Sequence, residues 1–292
     1  MDSPVTGLPR AVRIVEVGPR DGLQNQPKTL GVDEKAEFIR LLGEAGLRDI
    51  EVASFVHPQW VPQLADADAL IPRLPANPSI RYSALVPNMK GLERALNAGV
   101  KRIAVFTAAS ETFNRKNINM GVAESIEVFR PVVERALKEG ISVRGYVSTC
   151  FVCPYEGPIS KDKVTDVTRA LFDLGVDEVS IGDTIGAATP LDVETTVGHL
   201  VTLFPAAQLA MHFHDTYAMA IANVYASLRL GISVFDSSAG GIGGCPYAPG
   251  ATGNVATEKL LYLFDRLKVE TGVSLPRLRV AADYINDALK AA

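Results

Sequence analysis

Short runs of apolar, mostly β-branched residues recur along the chain and predict eight strands. These runs occupy residues 13–17, 49–55, 80–86, 102–107, 142–148, 178–183, 208–214 and 233–238. Between most of them, apolar positions recur at the helical spacing, as in EKAEFIRLLGEAGL and ESIEVFRPVVERALKEG, which is typical of amphipathic helices. Several of these segments end on a glycine, a residue that commonly follows a helix C-terminus. The pattern therefore predicts strands that alternate with helices.

Such alternation favours parallel strands joined by right-handed helical crossovers. Eight units spaced roughly 20 to 40 residues apart match a closed (β/α)8 barrel, the TIM barrel, better than two doubly wound halves. A length of 292 residues would by itself allow about two domains. No linker-like or low-complexity stretch separates the units. The sequence therefore predicts one α/β domain over residues 1–292, with extra helices at its C-terminal end.

Charge and hydropathy exclude nucleic acids and membranes as predicted partners. The 33 acidic and 29 basic residues give a net charge of −4, without the Lys and Arg clusters that bind nucleic acids or anionic membranes. No stretch approaches the roughly 18 consecutive apolar residues of a membrane helix, and the first residues lack the apolar core of a signal peptide. Three cysteines are typical of a reduced compartment. We therefore predict a cytoplasmic protein that acts on small molecules.

The candidate chemistry follows the strands, because the active site of a TIM barrel lies at the carboxyl ends of its strands. Polar or glycine-rich segments occur there: GPRDGLQ (18–24) after the first strand, Glu51 and Ser54 on the second, GDTIG (182–186) after the sixth, HFHD (212–215) on the seventh and GGIGGCPYAPGATGN (240–254) after the eighth.

Two histidines of the seventh strand form the strongest candidate pair. His212 and His214 are two residues apart, so both side chains point to the same face, while Met211 and Phe213 are typical of the helix-covered face. Two hydrogen-bonded core histidines are the alternative to a metal pair. Together with Asp21 after the first strand, for which a surface salt bridge is the alternative, they form an N2O set. Such a set suits Mg²⁺, Mn²⁺ or Co²⁺ better than structural zinc.

Three residues of the last segment have more than one possible role. Asn254 precedes the helical stretch VATEKLLYLFDRL, so its spacing fits both a helix N-cap and a metal ligand. Glu258 fits an ordinary acid of the first helical turn. Cys245 lies in a Gly-Gly-Cys-Pro context, which favours a reactive, catalytic thiol over a packed one.

The remaining cysteines and histidines are predicted to be structural. Cys150 and Cys153 form a C-x-x-C at the end of the fifth strand, with no second pair and no thioredoxin-like setting. We therefore predict packing and not redox or zinc chemistry for them. His57 and His199 are isolated and predicted to be structural or exposed.

Together these segments resemble the 3-hydroxy-3-methylglutaryl-CoA lyase family, within a wider group of barrel metallolyases and Claisen-type synthases. The resemblance covers nearly the whole chain, through VGPRDGLQNQ, IEVASFVHPQWVPQLAD, RGYVSTCFVCPYEG, IGDTIG, HFHDTYAMAIAN and GGCPYAPGATGNVATE. The last segment is the most specific, because the related synthases keep R-D and H-x-H but lack the cysteine loop. The family loop commonly reads S-V-A-G-L-G-G-C-P-Y, whereas SAGGI precedes GGCPY here. This extra glycine bears on substrate preference and not on the reaction class.

The resemblance implies a role for each candidate residue. It implies that Asp21, His212, His214 and Asn254 ligate the metal, that Arg20 and Cys245 are catalytic, that Glu51, Asp183 and Glu258 give polar support, and that Lys116 and Asn117 contact the CoA moiety. The base that starts the reaction stays open among His212, Asp21 and Cys245.

The implied reaction is metal-dependent cleavage of 3-hydroxy-3-methylglutaryl-CoA to acetyl-CoA and acetoacetate, as in leucine degradation and ketone-body formation. The cation would be Mg²⁺ or Mn²⁺, with Co²⁺ as a further option, and the chain would form a homo-oligomer, a dimer. The alternatives are a lyase for a longer-chain 3-hydroxyglutaryl-CoA and a Claisen-type acyl-CoA synthase. A non-catalytic metal-binding barrel is a further alternative, against which Cys245 argues.

Overall fold

Eight parallel strands close into a barrel in the computed structural model, which describes residues 7–244 and 253–290. In chain order the strands are β1 (Arg13–Glu16), β2 (Asp49–Ser54), β3 (Arg81–Leu85), β4 (Arg102–Ala108), β5 (Ser142–Ser148), β6 (Val152–Cys153), β7 (Gly157–Pro158), β8 (Glu178–Asp183), β9 (Leu209–Phe213) and β10 (Val234–Ser237). The order around the barrel is β1-β10-β9-β8-β5-β4-β3-β2, while β6 and β7 form a separate antiparallel hairpin.

Helices connect the strands and surround the barrel. They are α1 (Val32–Glu44), α2 (Ala67–Leu70), α3 (Met89–Asn97), α4 (Glu111–Ile118), α5 (Val122–Lys138), α6 (Lys161–Leu174), α7 (Pro190–Leu200), α8 (Ala220–Arg229), α9 (Thr257–Leu267) and α10 (Leu275–Lys290). Within the described ranges, no helix combines the length and apolarity that a membrane crossing requires.

The prediction of a TIM barrel is confirmed, and all eight predicted strands are present with each end shifted by at most one residue. The additional C-terminal helix is α10, which packs on α1. The hairpin of β6 and β7 was not predicted, because two-residue strands leave no detectable alternation of apolar and polar positions. That residues 1–292 form one domain stays a prediction.

Strand side chains alternate between two environments. Phe235 on β10 packs into the large apolar layer between the barrel and its helices, whereas its neighbour Val234 packs inside the barrel. The interior holds only two small clusters of buried apolar side chains, which among the described residues are Val15, Val17, Ala210 and Val234, and Leu85, Ala104 and Tyr146. Much of the remaining interior is therefore polar.

Charged side chains fill the amino-terminal end of the barrel. Five of them are the first residues of their strands: Arg13, Asp49, Arg81, Arg102 and Glu178. Arg81 pairs with Asp49 at 2.6 Å, and Arg13 pairs with Glu178. Because buried charges are tolerated only when they are paired, this end of the barrel has a structural role.

Glu16 at the end of β1 joins three segments near the opposite end. Its Oε1 accepts hydrogen bonds from the backbone N–H groups of Gly18 and Ala239, both at 2.9 Å, and its Oε2 accepts one from Thr257 Oγ1 at 2.8 Å. Burial raises the pKa of Glu16 to about 7, even though these hydrogen bonds lower it. The side chain thus ties together the segments that follow β1 and β10 and the start of α9.

The pKa of Glu16 predicts how stability depends on pH. A carboxyl whose pKa rises on folding stabilises the fold most below its unfolded pKa and loses that contribution as pH rises through the folded value. We expect Glu16→Gln, which keeps both acceptor contacts and donates to Thr257, to gain about 2 to 3 kcal/mol on wild type between pH 5 and 8. Urea unfolding at a series of pH values measures this difference, with the exposed Glu93→Gln as the control. A difference that stays constant with pH would contradict the assignment.

Candidate active site

A π-helical turn at Gly18–Gly22 positions two of the candidate residues. The backbone N–H groups of Asp21 and Gly22 both donate to Val17 O, at 2.7 and 3.1 Å. The turn packs closely on the segment after β10, since a Cβ at Gly22 would lie 2.7 Å from Ile242 Cγ1. Only glycine fits this approach, and the turn brings Arg20 and Asp21 to the barrel mouth.

Asp21, His212 and His214 form a compact cluster at the mouth. One ligand atom from each residue lies within 4.8 Å of the others, and His212 Nε2 is 4.0 Å from Asp21 Oδ2. The two imidazole rings are 5.2 Å apart between centroids. The structure therefore brings the three side chains together as the spacing predicted.

Asn254 lies beside this cluster. A β-bridge pairs it with His214, and its Nδ2 donates to Asp21 Oδ2 at 2.9 Å. The alternative role of Asn254 as a helix cap is wrong, because α9 begins at Thr257 and Ala256 occupies the N-cap position. Asn254 thus lies two positions before the cap, and its side chain turns toward the cluster.

The donor atoms fit a divalent cation. Among the described residues, Asn254 Oδ1 and His214 Nδ1 are buried without a hydrogen-bond partner, which is costly unless another group satisfies them. Burial lowers the pKa of His214 to about 4, so its imidazole is neutral and offers a lone pair. Burial would raise the pKa of Asp21, but the charge of Arg20 holds it well below its usual range. Two imidazoles and two side-chain oxygens are suitable ligands for such an ion.

Arg20 is held between two carboxylates. Its Nε donates to Glu51 and its Nη1 to Asp21 Oδ1, the latter at 2.6 Å, and Tyr146 Oη donates to Glu51 Oε2 at 2.8 Å. Burial opposes the charge, but Glu51 and Asp21 raise the pKa of Arg20 above its usual range. Its Nη2 has no partner among the described residues. The guanidinium thus presents one free edge at the cavity that it lines.

Asp183 and Glu258 lie near the mouth but bind backbone. Asp183 accepts hydrogen bonds from Ala187 N and Ala188 N, both at 3.1 Å, and burial raises its pKa to about 6. Glu258 accepts a hydrogen bond from Gly240 N at 3.0 Å. These carboxyls therefore hold the loops after β8 and β10.

Cys245 lies outside the described residues, but its flanking glycines are described. A Cβ at Gly253 would lie 2.8 Å from the carbonyl carbon of Gly243. The backbones of these two glycines, one before and one after Cys245 in the chain, therefore touch. Gly244, the residue before Cys245, lines the cavity and accepts a hydrogen bond from Asn25 Nδ2 at 3.0 Å. The catalytic role of Cys245 stays a prediction.

A cavity of about 600 Å³ extends from the cluster to the rim of the barrel. Asn117 on α4 and Trp60 line its outer part, and Trp60 is 80% exposed. Lys116 is exposed on the same helix, with Nζ 4.8 Å from the ring centre of Tyr155. The cavity therefore connects the candidate metal site with the region predicted to contact CoA.

The other predicted residues behave in different ways. Cys150 and Cys153 are buried and free, and Cys153 Sγ lies 3.0 Å from Ser110 Oγ, so the prediction of packing is confirmed. His57 is exposed as predicted, yet it also lines the outer cavity. His199 lies in the last turn of α7.

Sequence reasoning missed three buried residues around the site: Arg144, Tyr146 and Asp236. Arg144 Nη1 donates to Tyr146 Oη at 2.8 Å, and Arg144 Nη2 donates to Asp236 Oδ1 at 2.6 Å. The available signal was a charged or polar residue in the middle of a predicted interior strand. Residues 144 and 146, two apart on β5, share the interior face for the same reason as the histidines.

Comparison with known proteins gives consistent matches over nearly the whole chain. The model of the HMGL-like family matches residues 11–285. Hydroxymethylglutaryl-CoA lyase YngG of Bacillus subtilis is 47% identical over 281 residues, which are 96% of this chain and 94% of that protein.

Solved structures agree. The crystal structure of hydroxymethylglutaryl-CoA lyase from Pseudomonas aeruginosa has a TM-score of 0.96 and 48% identity, and covers 98% of this chain and 96% of its own. An HMG-CoA lyase from Acinetobacter baumannii, in complex with coenzyme A and 3-methylmalate, has a TM-score of 0.92 and 34% identity, covering 96% of this chain and 92% of its own.

The cluster predicts one divalent cation site that depends on Asp21. We expect purified protein to bind one Mn²⁺, and Asp21→Asn to weaken binding by at least about 10- to 100-fold, because the variant loses the only full negative charge of the donor set. Calorimetric titration measures both affinities. Asp215→Asn is the matched control, since Asp215 follows His214 but binds Ala220 N and Lys259. Equal losses in the two variants would contradict the site.

Proposed function

Since the chain belongs to the HMGL-like family, we propose that it is a hydroxymethylglutaryl-CoA lyase, which converts 3-hydroxy-3-methylglutaryl-CoA to acetyl-CoA and acetoacetate. The observation that carries the proposal is one cavity that reaches Asp21, His212 and His214 together with the free edge of Arg20. This arrangement offers a cation site beside a fixed positive charge.

In this proposal the metal site would hold a cation that acts as a Lewis acid. Asp21, His212, His214 and Asn254 would hold the cation, and Mg²⁺ or Mn²⁺, with Co²⁺ as a further option, suits this mixed nitrogen and oxygen set. When bound, the cation would supply Lewis-acid polarisation of the substrate's hydroxyl and carboxylate oxygens.

The side chains of the site would move two protons. A base takes the proton of the tertiary hydroxyl, and His212, Asp21 and Cys245 remain the candidates. The carbon–carbon bond then breaks, so that the hydroxyl carbon becomes the ketone of acetoacetate and the electron pair forms the thioester enolate of acetyl-CoA. An acid returns one proton to the enolate carbon, which balances the reaction. Cys245 is proposed as that acid, or as the base, and such a group contributes about 10²- to 10⁴-fold.

Arg20 is proposed to stabilise the enolate oxygen. Its Nε and Nη1 are occupied by Glu51 and Asp21, so the guanidinium is fixed before substrate arrives, and Nη2 has no partner among the described residues. A preorganised charge in a buried site stabilises a developing oxyanion more than a solvated one does. Glu51 therefore acts through Arg20, and Asp183 is proposed as support for the loop after β8.

The CoA portion of the substrate is proposed to occupy the outer cavity. Lys116 and Asn117 lie on α4 at one side of it, and Trp60 lines its rim. The Acinetobacter relative binds coenzyme A in its solved complex, which supports an acyl-CoA partner here.

Further features of the proposal concern the whole chain. We propose a single catalytic domain over residues 1–292, a homodimer and a cytoplasmic location, the last on the basis of the three cysteines. A lyase for a longer-chain 3-hydroxyglutaryl-CoA and a Claisen-type acyl-CoA synthase stay as alternatives, and the following experiment tests the first of them.

A steady-state assay tests the activity. We expect the protein to release acetoacetate from 3-hydroxy-3-methylglutaryl-CoA, to lose nearly all turnover in EDTA and to regain it with Mg²⁺ or Mn²⁺, because the cation polarises the reacting oxygens. Asp215→Asn should keep its turnover, whereas Asp21→Asn should not. Turnover that is indifferent to chelation would remove the metal from the mechanism. Faster turnover of a longer-chain analogue would favour the alternative substrate.

Binding of CoA can be followed directly, because Trp60 is the single tryptophan of the chain. We expect free CoA to change the intrinsic fluorescence of the protein as it covers this exposed indole. Lys116→Ala should weaken the apparent affinity by about 3- to 10-fold through loss of one phosphate contact. Lys163→Ala, also exposed but paired with Glu156, is the control and should leave the affinity unchanged. A fluorescence signal that CoA does not alter would place the CoA portion elsewhere.

A further inference from the structure

Asp236 is a fully buried carboxylate that the proposed reaction does not use. It lies on β10, and its side chain has no exposed surface. Its Oδ1 accepts a hydrogen bond from Arg144 Nη2 at 2.6 Å, and its Oδ2 accepts one from Ser180 Oγ at 2.8 Å. His212 Nδ1 lies 3.3 Å from the same Oδ2. Burying a carboxylate costs free energy, so we expect Asp236 to have a function beneath the site.

The backbone fixes where Asp236 and His212 meet. Strands β9 and β10 pair in parallel, and their register places Asp236 directly opposite His212. Arg144 and Ser180, on β5 and β8, hold the carboxylate from the other sides of the barrel. The oxygen that faces His212 therefore has little freedom to move.

The contact determines which nitrogen of His212 carries the proton. An ionised carboxylate only accepts hydrogen bonds, so Nδ1 must donate, and in the neutral ring Nε2 then carries the lone pair. Nε2 is the atom that lies 4.0 Å from Asp21 Oδ2, within the candidate metal cluster. The ring thus faces the cluster with its ligand atom before any ion arrives.

His214 is held in a different way. Its Nδ1 is buried and has no hydrogen-bond partner among the described residues. Of the two histidines, His212 is the one that a carboxylate orients, so a change at Asp236 acts on one ligand of the cluster.

Arg144 connects this support with the other half of the site. The same guanidinium donates to Tyr146 Oη, which donates to Glu51, the carboxylate that holds Arg20. We propose that Asp236, held by Arg144 and Ser180, is a positioning residue that sets the tautomer and orientation of His212 for metal binding. This inference rests on the proposed function in one respect only, since the turnover measurement below requires the proposed substrate.

The tautomer can be measured in the wild-type protein without metal or substrate. The chain has four histidines, so long-range ¹H–¹⁵N NMR at about pH 8.5, above the usual range of histidine, resolves each ring. We expect His212 to carry its proton on Nδ1. Observation of the Nε2–H tautomer would overturn the proposal, whether or not any variant folds.

Asp236→Asn tests the same contact by substitution. Its amide can turn its NH₂ group toward His212 Nδ1, which would move the ring proton to Nε2, so we expect a reversed tautomer and a 10- to 100-fold loss of Mn²⁺ affinity. Turnover should fall mainly in kcat, with KM changed less. Asp215→Asn is the matched control and should keep Mn²⁺ affinity within about threefold, because Asp215 follows His214 but binds Ala220 N and Lys259.

Unchanged Mn²⁺ affinity and an unchanged tautomer in Asp236→Asn would overturn the proposal, as would equal losses in Asp215→Asn. These readouts use the metal alone. A protein that shows them but releases no acetoacetate from 3-hydroxy-3-methylglutaryl-CoA would leave the positioning role standing and remove the proposed function.

Discussion

Charge buried inside the barrel is the constraint on which the rest of the site depends. Every guanidinium and carboxylate in the interior needs a partner, because water cannot reach it and an unpaired charge would cost several kcal/mol. Arg144 meets this requirement for Asp236, and through Tyr146 it reaches Glu51 and Arg20. The interior is therefore a connected polar network and not an apolar core with a site added on top. The side chains at the barrel mouth are held in place because the charges deeper in the barrel are paired.

The fold could be predicted because the repeat of apolar positions along the chain shows which side chains are buried. Eight apolar runs separated by amphipathic segments admit few closed arrangements, and the interior pairing of His212 with His214 follows from the two-residue repeat of a strand. The cluster with Asp21 was equally accessible, since a TIM barrel brings the carboxyl ends of its strands together.

The contacts that support the site could not be predicted from the sequence in the same way. That Asp236 faces His212 depends on the register between β9 and β10, and register is a tertiary property that neither strand encodes alone. The role of Asn254 was ambiguous for a related reason. Whether a residue just before a helix caps it depends on where the first turn begins, and here that turn begins three residues later, at Thr257. The resemblance to a family favoured the metal-ligand role where local spacing could not decide, and the structure excludes the cap.

The backbone contact between Gly243 and Gly253 allows the residues between these glycines to change in evolution independently of Asn254. Because the backbone closes at that contact, the position of Asn254 does not depend on how many residues lie between the glycines or what they carry. Lengthening such a closed excursion costs little entropy, about 0.6 kcal/mol for each doubling. Evolution can therefore exchange the proton-transfer chemistry proposed for Cys245 while the candidate metal site stays constant.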